Sequence, residues 1–337
     1  MGSTSQKRLT YLDVYKGVCI LFVIVTHYAW TLAQRKALLF PFWIDMAVPV
    51  FMVITGYLSA MAFQKQNQSL GMAYRLGQII GKWLRFVIPF IGVFILEVLV
   101  RMAMGRTVTF AGLLKSFVTG GSGPGAYYFP VMLQVVLVMP IICCVVRRFD
   151  IKGLIGCFAA NGIFELVQAA IGLPVSIYRI CALRYVFILG FGCFLYVRQQ
   201  ANIVGRKHWY YLAGLVGLAY LIVFKYTSVE PIIIPKGWIS TSVIGVLFIV
   251  PAMLYLMTPN KLHCAPIELL GKASFNIFLV QMCYYWGLAH SVYRWFPRAW
   301  MQLLASLVIC CACGILFYKI ESPFTQKMVI AIRKRNS

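Results

Sequence analysis

Acidic side chains are scarce in this chain: eight Asp and Glu stand against 31 Lys and Arg in 337 residues. Charged residues of both signs make up 12% of it, about half the share usual in soluble domains. Histidine is rarer still, with four copies. No linker, low-complexity tract or internal repeat stands out. The longest segment between apolar runs, about 105–126, is too short to be a soluble domain. Any chemistry must therefore take place inside a bundle of apolar helices or at its mouths. No Cys/His set has zinc-ligand spacing. Nearly all of the eleven cysteines lie in apolar runs, and the C-x-x-C pair Cys310 and Cys313 reads as small packing residues rather than as a redox or metal site.

What is present is hydrophobic: 61% of the residues, with a mean hydropathy of +0.83. Apolar stretches long enough to span a bilayer recur at about 15–33, 43–63, 84–104, 127–146, 153–172, 180–197, 209–225, 239–257, 273–290 and 300–320. They predict an all-α integral membrane protein, a single bundle of about ten transmembrane helices. The polar stretch Met1–Thr10 leads into a first run with no small-residue cleavage site, which predicts a retained first helix. Ten spans put both termini on one side. That side carries 19 Lys and Arg against 11 on the other, leaving Lys16 aside, so both termini are predicted to be cytoplasmic, with tails at about 1–10 and 322–337. A net charge of +23 would suit nucleic acid in a soluble chain. Here the cations sit in short segments between apolar runs, which predicts contact with anionic lipid and no nucleic-acid partner.

The ionisable groups at membrane depth are few enough to take singly. Titratable side chains there are expensive and usually face a bundle interior, a partner or a water-filled path. The first run, Tyr11 to Tyr28, carries Asp13, Lys16 and His27. Eleven residues separate Lys16 from His27, about three turns plus 20°, so Lys16, Ile20, Val23 and His27 form one stripe about 16 Å long. His27 is the leading candidate for chemistry, because an imidazole both takes and gives a proton near neutrality. The plainer alternative is a buried histidine bonded to a neighbouring helix. Lys16 reads either as a cation that meets an anionic substrate or as a snorkelling residue paired with Asp13 at i,i+3. Asp45 opens the second run from the outer side. There it either orients His27, directly or through a water, or favours a helix N-terminus as an interfacial carboxylate. Arg184, opening the sixth run, requires a carboxylate or substrate partner. Glu97 and Arg101 are spaced i,i+4 to pair with each other, and Glu165 lies at similar depth. His208, His263 and His290 fall in loops or at an interface. The run Gly120-Gly-Ser-Gly-Pro-Gly125 lacks the following Lys-Ser/Thr of a phosphate loop and reads as a flexible lead into the fourth helix.

At these residues the chain resembles the membrane-bound acyltransferase-3 family. Asp13-Val-Tyr-Lys16 through Thr26-His27 resembles that family's first-helix pattern of a basic residue, ten intervening residues and a histidine, with Lys16 where arginine is commonest. Val48-Pro-Val-Phe-Met-Val-Ile-Thr55-Gly-Tyr-Leu, Lys82-Trp-Leu-Arg85 with Pro89, Tyr127-Tyr-Phe with Pro140, Leu270-Gly-Lys-Ala-Ser-Phe-Asn-Ile-Phe-Leu-Val-Gln281 and Ile320-Glu-Ser-Pro323 resemble later motifs, in order. Thr55 stands for serine and Gln281 for histidine.

The resemblance implies transfer of an acyl group, usually acetyl, from cytoplasmic acyl-CoA to a hydroxyl of an extracytoplasmic glycan or lipid-linked sugar. It implies O-acetylation of cell-envelope polysaccharide at the plasma or inner membrane, with acyl-CoA as donor substrate and no permanently bound cofactor or metal. Lys16, Lys82 and Arg85 would meet the CoA phosphates, with Asp13 beside Lys16. His27 would act as general base or carry the acyl group itself, and Thr55 or Arg184 would stabilise the oxyanion. The chain would act alone, with a separate glycan-synthesis protein or as a homo-oligomer. Two other classes remain open on the residues alone: a transporter or exporter using the same buried polar groups, and a structural scaffold.

Overall fold

The computed structural model describes residues 9–65, 69–202 and 208–335. Lys7, Arg8, Arg206 and Lys207 of the charge count, and most of the expected first tail, lie outside the described residues. The described chain is helical, with no strand among the described residues. Its main helices are α1 Thr10–His27, α2 Ala47–Lys65, α3 Leu76–Ala103, α4 Tyr128–Phe149, α5 Ile151–Ala170, α6 Val186–Gln200, α7 His208–Tyr226, α8 Val250–Leu256, α9 Ala265–Lys272, α10 Ser274–Cys283 and α11 Ala299–Arg335.

Among the described residues, seven helical segments are long and apolar enough to cross a membrane: α1, Phe40–Lys65 ending in α2, α3, α4, α5, α7 and α11. The other three expected spans are helical but interrupted. The sixth is a 3-10 turn, Ala182–Tyr185, followed by the fifteen residues of α6. The eighth is built of 3-10 turns at Lys236–Thr241 and Gly245–Ile249 before α8. Its hydroxyls take over backbone groups: Ser242 donates to the Ile239 carbonyl at 2.8 Å and Thr241 to the Trp238 carbonyl at 3.1 Å. Such local bonds compete with the regular helix ladder. The ninth passes from α10 through a π-helical turn, Tyr284–Leu288. Irregular backbone at membrane depth is tolerated where protein buries it or where it lines a cavity. The expected last span belongs to a longer helix, since α11 continues through 322–335.

Among the described residues, several helices cross with their backbones in contact, and two of the pairs do so through glycines on both sides. A Cβ on Gly17 would collide with the Ile267 carbonyl, and one on Gly271 with the Asp13 carbonyl, so α1 and α9 touch through reciprocal glycines. Gly56 and Gly192 do the same for α2 and α6, against Leu189 and Val53. Small residues at helix crossings are how helices in lipid gain packing contact. These crossings anchor two apolar clusters. One is centred on α2, α4 and α6, with Tyr185, Phe191 and Phe194 buried. The other is centred on α1, α3 and α10, where Phe90 stacks on Phe129 at 3.8 Å. A large cavity lies between them.

Candidate active site

Helix α1 stops at His27, although the sequence stays apolar through Tyr28-Ala-Trp-Thr-Leu-Ala33. The last carbonyls of a helix have no partner within it. Here side chains take them: Tyr285 donates to the Ile24 carbonyl at 2.8 Å, Trp30 Nε1 to that of Val25 at 2.7 Å, and Arg35 Nη1 to that of Thr26 at 3.3 Å. His27 is therefore the final residue of a capped helix rather than a residue midway along a span of 15–33. Tyr285 also meets the imidazole edge-on, with ring centroids 6.3 Å apart.

The chain then folds over this end. A short helix, Leu32–Ala37, starts with a capping box in which Thr31 and Gln34 bond each other's backbone amides. It presents Arg35 toward Asp45, which it meets at 2.7 Å, with the guanidinium over the Phe40 ring at 5.1 Å. Thr26 donates to the same carboxylate at 3.4 Å. Asp45 thus binds Arg35 and Thr26. Among the described residues it makes no hydrogen bond to His27, so its expected role in orienting the imidazole is not made by direct contact.

The cavity has a volume of about 1340 Å³. Lys16, His27, Asp45, Thr55, Lys82 and Arg85, drawn from α1, α2, α3 and the connection between the first two, all line it. Helix directions sort them into two ends. Lys16 near the start of α1, Lys82 and Arg85 in the first half of α3, and Lys272 at the close of α9 mark one end, where Phe86 of α3 meets Phe275 of α10 edge-on at 5.2 Å. His27, Arg35, Asp45 and Gly125 mark the other, joined by Trp238 and Thr241 of the interrupted segment. Between them the walls are Ile20 and Val23 of α1, Phe51 and Thr55 of α2, and Met132 and Val135 of α4. The stripe read from the sequence on α1 is this cavity's α1 wall.

Asp13 lies off the cavity, buried, and holds Lys16 at 2.6 Å, so the local i,i+3 pair is formed, and Lys16 also lines the cavity. Thr55 faces the cavity but donates its hydroxyl hydrogen to the Phe51 carbonyl at 2.8 Å. What it offers inward is lone pairs, which suits accepting a hydrogen bond and not stabilising an oxyanion. Arg184 is 1% exposed and does not line the cavity. Its charge sits among the rings of Trp238, Tyr178 and Tyr185 at 4.2, 4.5 and 4.9 Å, and it donates to the Thr241 hydroxyl. Its direct partners are thus aromatic faces and a hydroxyl on the cavity wall, while the carboxylate expected of it is the buried Glu165, near enough to act on its charge without a direct ion pair. Glu97 and Arg101 pair at 2.7 Å as their spacing predicts. His208, His263 and His290 are exposed, and no metal-binding cluster of His, Cys, Asp and Glu occurs among the described residues.

The cavity also has residues that the sequence does not single out. Arg35 and Lys225 stand in the sequence only as cations near the ends of apolar runs. Lys272 stands inside a motif with no distinguishing feature, and Gly125 closes a glycine-rich segment. None of these carried a local signal of its own, because the fold brings them to the cavity from segments far apart in the chain.

A family model described as an acyltransferase domain matches residues 9–319. No curated protein and no solved structure matches the chain. The match takes in every cavity-lining residue, from Lys16 to Phe278. With seven membrane-length apolar helices and a cavity bearing its ionisable groups, the chain belongs to the acyltransferase-3 family and is an integral membrane acyltransferase.

Proposed function

We propose that this protein moves an acyl group, in the first place acetyl, from cytoplasmic acyl-CoA to a hydroxyl of an extracytoplasmic glycan or lipid-linked sugar, within one membrane domain over 1–337 at the plasma or inner membrane. The chain crosses ten times, the three interrupted segments completing the seven long helices, and both termini face the cytoplasm, in keeping with the Lys and Arg bias. No cofactor or metal is held permanently. The observation that carries the reading is that Lys16, Lys82 and Arg85 line one end of the same cavity whose other end holds His27.

The chemistry follows from that polarity. With the N-terminal end of α1 on the cytoplasmic side, Lys16, Lys82, Arg85 and Lys272 meet the phosphates of CoA, which are polyanionic. The volume exceeds the roughly 300–1,000 Å³ of ordinary small-ligand pockets and suits a long donor reaching inward. Its thioester then lies toward His27. The imidazole takes the proton of the acceptor hydroxyl as that oxygen attacks the thioester carbonyl, and CoA leaves as the thiol after protonation. In the relay version the imidazole nitrogen attacks the thioester carbonyl first, the C–S bond breaks and CoA leaves as the thiol after protonation; the acceptor hydroxyl then attacks the acyl-imidazole, giving up its proton as the C–N bond breaks and the imidazole is restored. The Arg35–Asp45 pair and Thr26 hold the outer end of the site in shape.

The test is free CoA release by purified protein given acetyl-CoA and envelope glycan, with wild type beside His27→Ala. Loss of a general base predicts a fall of about 10²–10⁴-fold. Equal, near-zero release by both folded proteins across several acyl donors would set acyl transfer aside. Rapid quenching with labelled acyl-CoA alone separates the two versions: label on His27 supports the relay, and turnover without an adduct supports direct transfer.

A further inference from the structure

The glycine-rich segment 120–125 is held down along its length. Gly121 donates its amide to the Ser116 carbonyl at 2.7 Å, and Ser122 donates its amide to Glu97 Oε2 at 3.2 Å. Arg101 Nη2 reaches Glu97 Oε1 at 2.7 Å, the Ser116 hydroxyl at 2.9 Å and the Ser122 hydroxyl as well. Further on, Gln281 Nε2 donates to the Pro124 carbonyl at 3.3 Å, and Gly123 packs on the backbone of Met282. The segment ends at Gly125, which lines the cavity with a φ of +86°. A Cβ there would stand 3.3 Å from His27 Nε2 and 3.0 Å from the Phe278 ring. This is no flexible lead into α4. It is a clamped strip of backbone whose last residue lies against the nitrogen of the cavity's histidine.

The clamp is built from a buried ion pair that the acyl-transfer chemistry does not use. Glu97 is 3% exposed. Burying such a pair costs desolvation, and its best-attested return is fixing one arrangement rather than adding stability. What it fixes here is the position of residues 120–125. We propose that Gly125 is a positioning residue: lacking a side chain, it keeps open the space over His27 Nε2 through which a reacting carbonyl or hydroxyl approaches, and Glu97 and Arg101 hold it at that distance through Ser122. The catalytic consequence rests on His27 being the reacting group. The steric claim does not.

The experiment uses full-length protein in lipid nanodiscs and two readouts. The first is carbethoxylation of His27 by diethyl pyrocarbonate, followed by peptide mass with exposed His290 as internal reference. The second is CoA release from acetyl-CoA, resolved into kcat and KM. Gly125→Ala is expected to slow modification of His27 about tenfold relative to His290, and to lower kcat about tenfold with KM for acetyl-CoA little changed, since a displacement of about an ångström at a reacting centre has effects of that order or larger. Glu97→Gln combined with Arg101→Gln removes both charges together. It is expected to speed His27 modification and lower kcat, because the strip loosens. Wild-type rates of His27 modification and wild-type kcat in Gly125→Ala would overturn the proposal, whether or not the double variant folds. Shielding of His27 in Gly125→Ala, alongside a wild type that releases no CoA, would uphold the wall and remove the acyltransferase reading instead.

Discussion

Asp45 and Arg35 meet at 2.7 Å over the end of α1, and the same guanidinium caps the Thr26 carbonyl one residue before His27. The carboxylate is therefore linked to the histidine's end of the helix through the arginine that caps it. Asp45→Asn keeps the shape and the Thr26 contact but removes the charge that anchors Arg35. A hydrogen bond to a charged group is worth about 1.5–3 kcal/mol, so we expect acyl transfer to fall about tenfold or somewhat more, well short of the loss in His27→Ala. Arg35→Lys should fall with it, because lysine cannot reach the carbonyl and the carboxylate as a fork. An Asp45→Asn enzyme as inactive as His27→Ala would mean that the carboxylate takes part in proton transfer itself. Initial rates of CoA release decide between the two.

The four cations at the other end make a prediction about binding rather than turnover. Lys82→Ala, Arg85→Ala and Lys272→Ala should each raise KM for acetyl-CoA, about tenfold for one charge-assisted phosphate contact, and leave kcat nearly unchanged. The increase should shrink at high salt, where screening has already weakened the wild-type contact. Lys272 is the most informative of the three, because its only other contact with a carboxylate among the described residues is Glu268 at 3.7 Å. A fall in kcat with KM intact would place these residues at the reacting end instead.

The sequence made the helical class and the α1 wall legible, because charge on an apolar helix is conspicuous and 3.6-residue geometry fixes which groups share a face. It did not show where α1 ends. Tyr28-Ala-Trp-Thr-Leu is as apolar as what precedes it, and beside Trp30 and Arg35 the cap draws on Tyr285, which lies 261 residues from the carbonyl it binds. Arg184 was legible only in part, for a related reason. A lone arginine in an apolar run signals a partner, and beside the Thr241 hydroxyl and the nearby Glu165 carboxylate its closest company is three aromatic rings, which look like ordinary core residues in the sequence. The glycine-rich strip was conspicuous as composition, while its clamp needed Glu97, Arg101 and Gln281 placed in space.

The α1–α9 crossing should be sensitive to a single methyl group. Gly271 approaches the Asp13 backbone so closely that a Cβ cannot fit, and Gly17 faces Ile267 in the same way. Gly271→Ala must push the helices apart, at an expected cost of about 1–3 kcal/mol. The shift would also move Lys16 and Lys272, which sit one residue from the two glycines and line the cavity. The variant should therefore combine a lower apparent melting temperature in detergent with a raised KM for acetyl-CoA. A normal melting temperature would mean that the helices are not in backbone contact.

Arg184 yields the sharpest separation of stability from chemistry. Two of its nitrogens, Nε and Nη1, are buried with no hydrogen-bond partner, and its charge rests on the faces of Tyr178, Tyr185 and Trp238. A desolvated cation on aromatic faces is worth about 2 kcal/mol or more, and a planar guanidinium stacks where an ammonium does not. Through its bond to Thr241 it braces the 3-10 segment Lys236–Thr241, whose Trp238, Ser240 and Thr241 line the cavity near His27. Arg184→Lys should therefore lower thermal stability markedly, while the folded fraction keeps KM for acetyl-CoA, because no donor group reaches a residue outside the cavity. Thr241→Val, which removes the hydroxyl and retains the bulk, should reproduce a smaller part of the same loss. If Arg184→Lys stays as stable as wild type but loses turnover, the guanidinium reaches the substrate during the reaction, and the oxyanion role expected from the sequence returns. Thermal melts and Michaelis–Menten curves on the same preparation distinguish these outcomes.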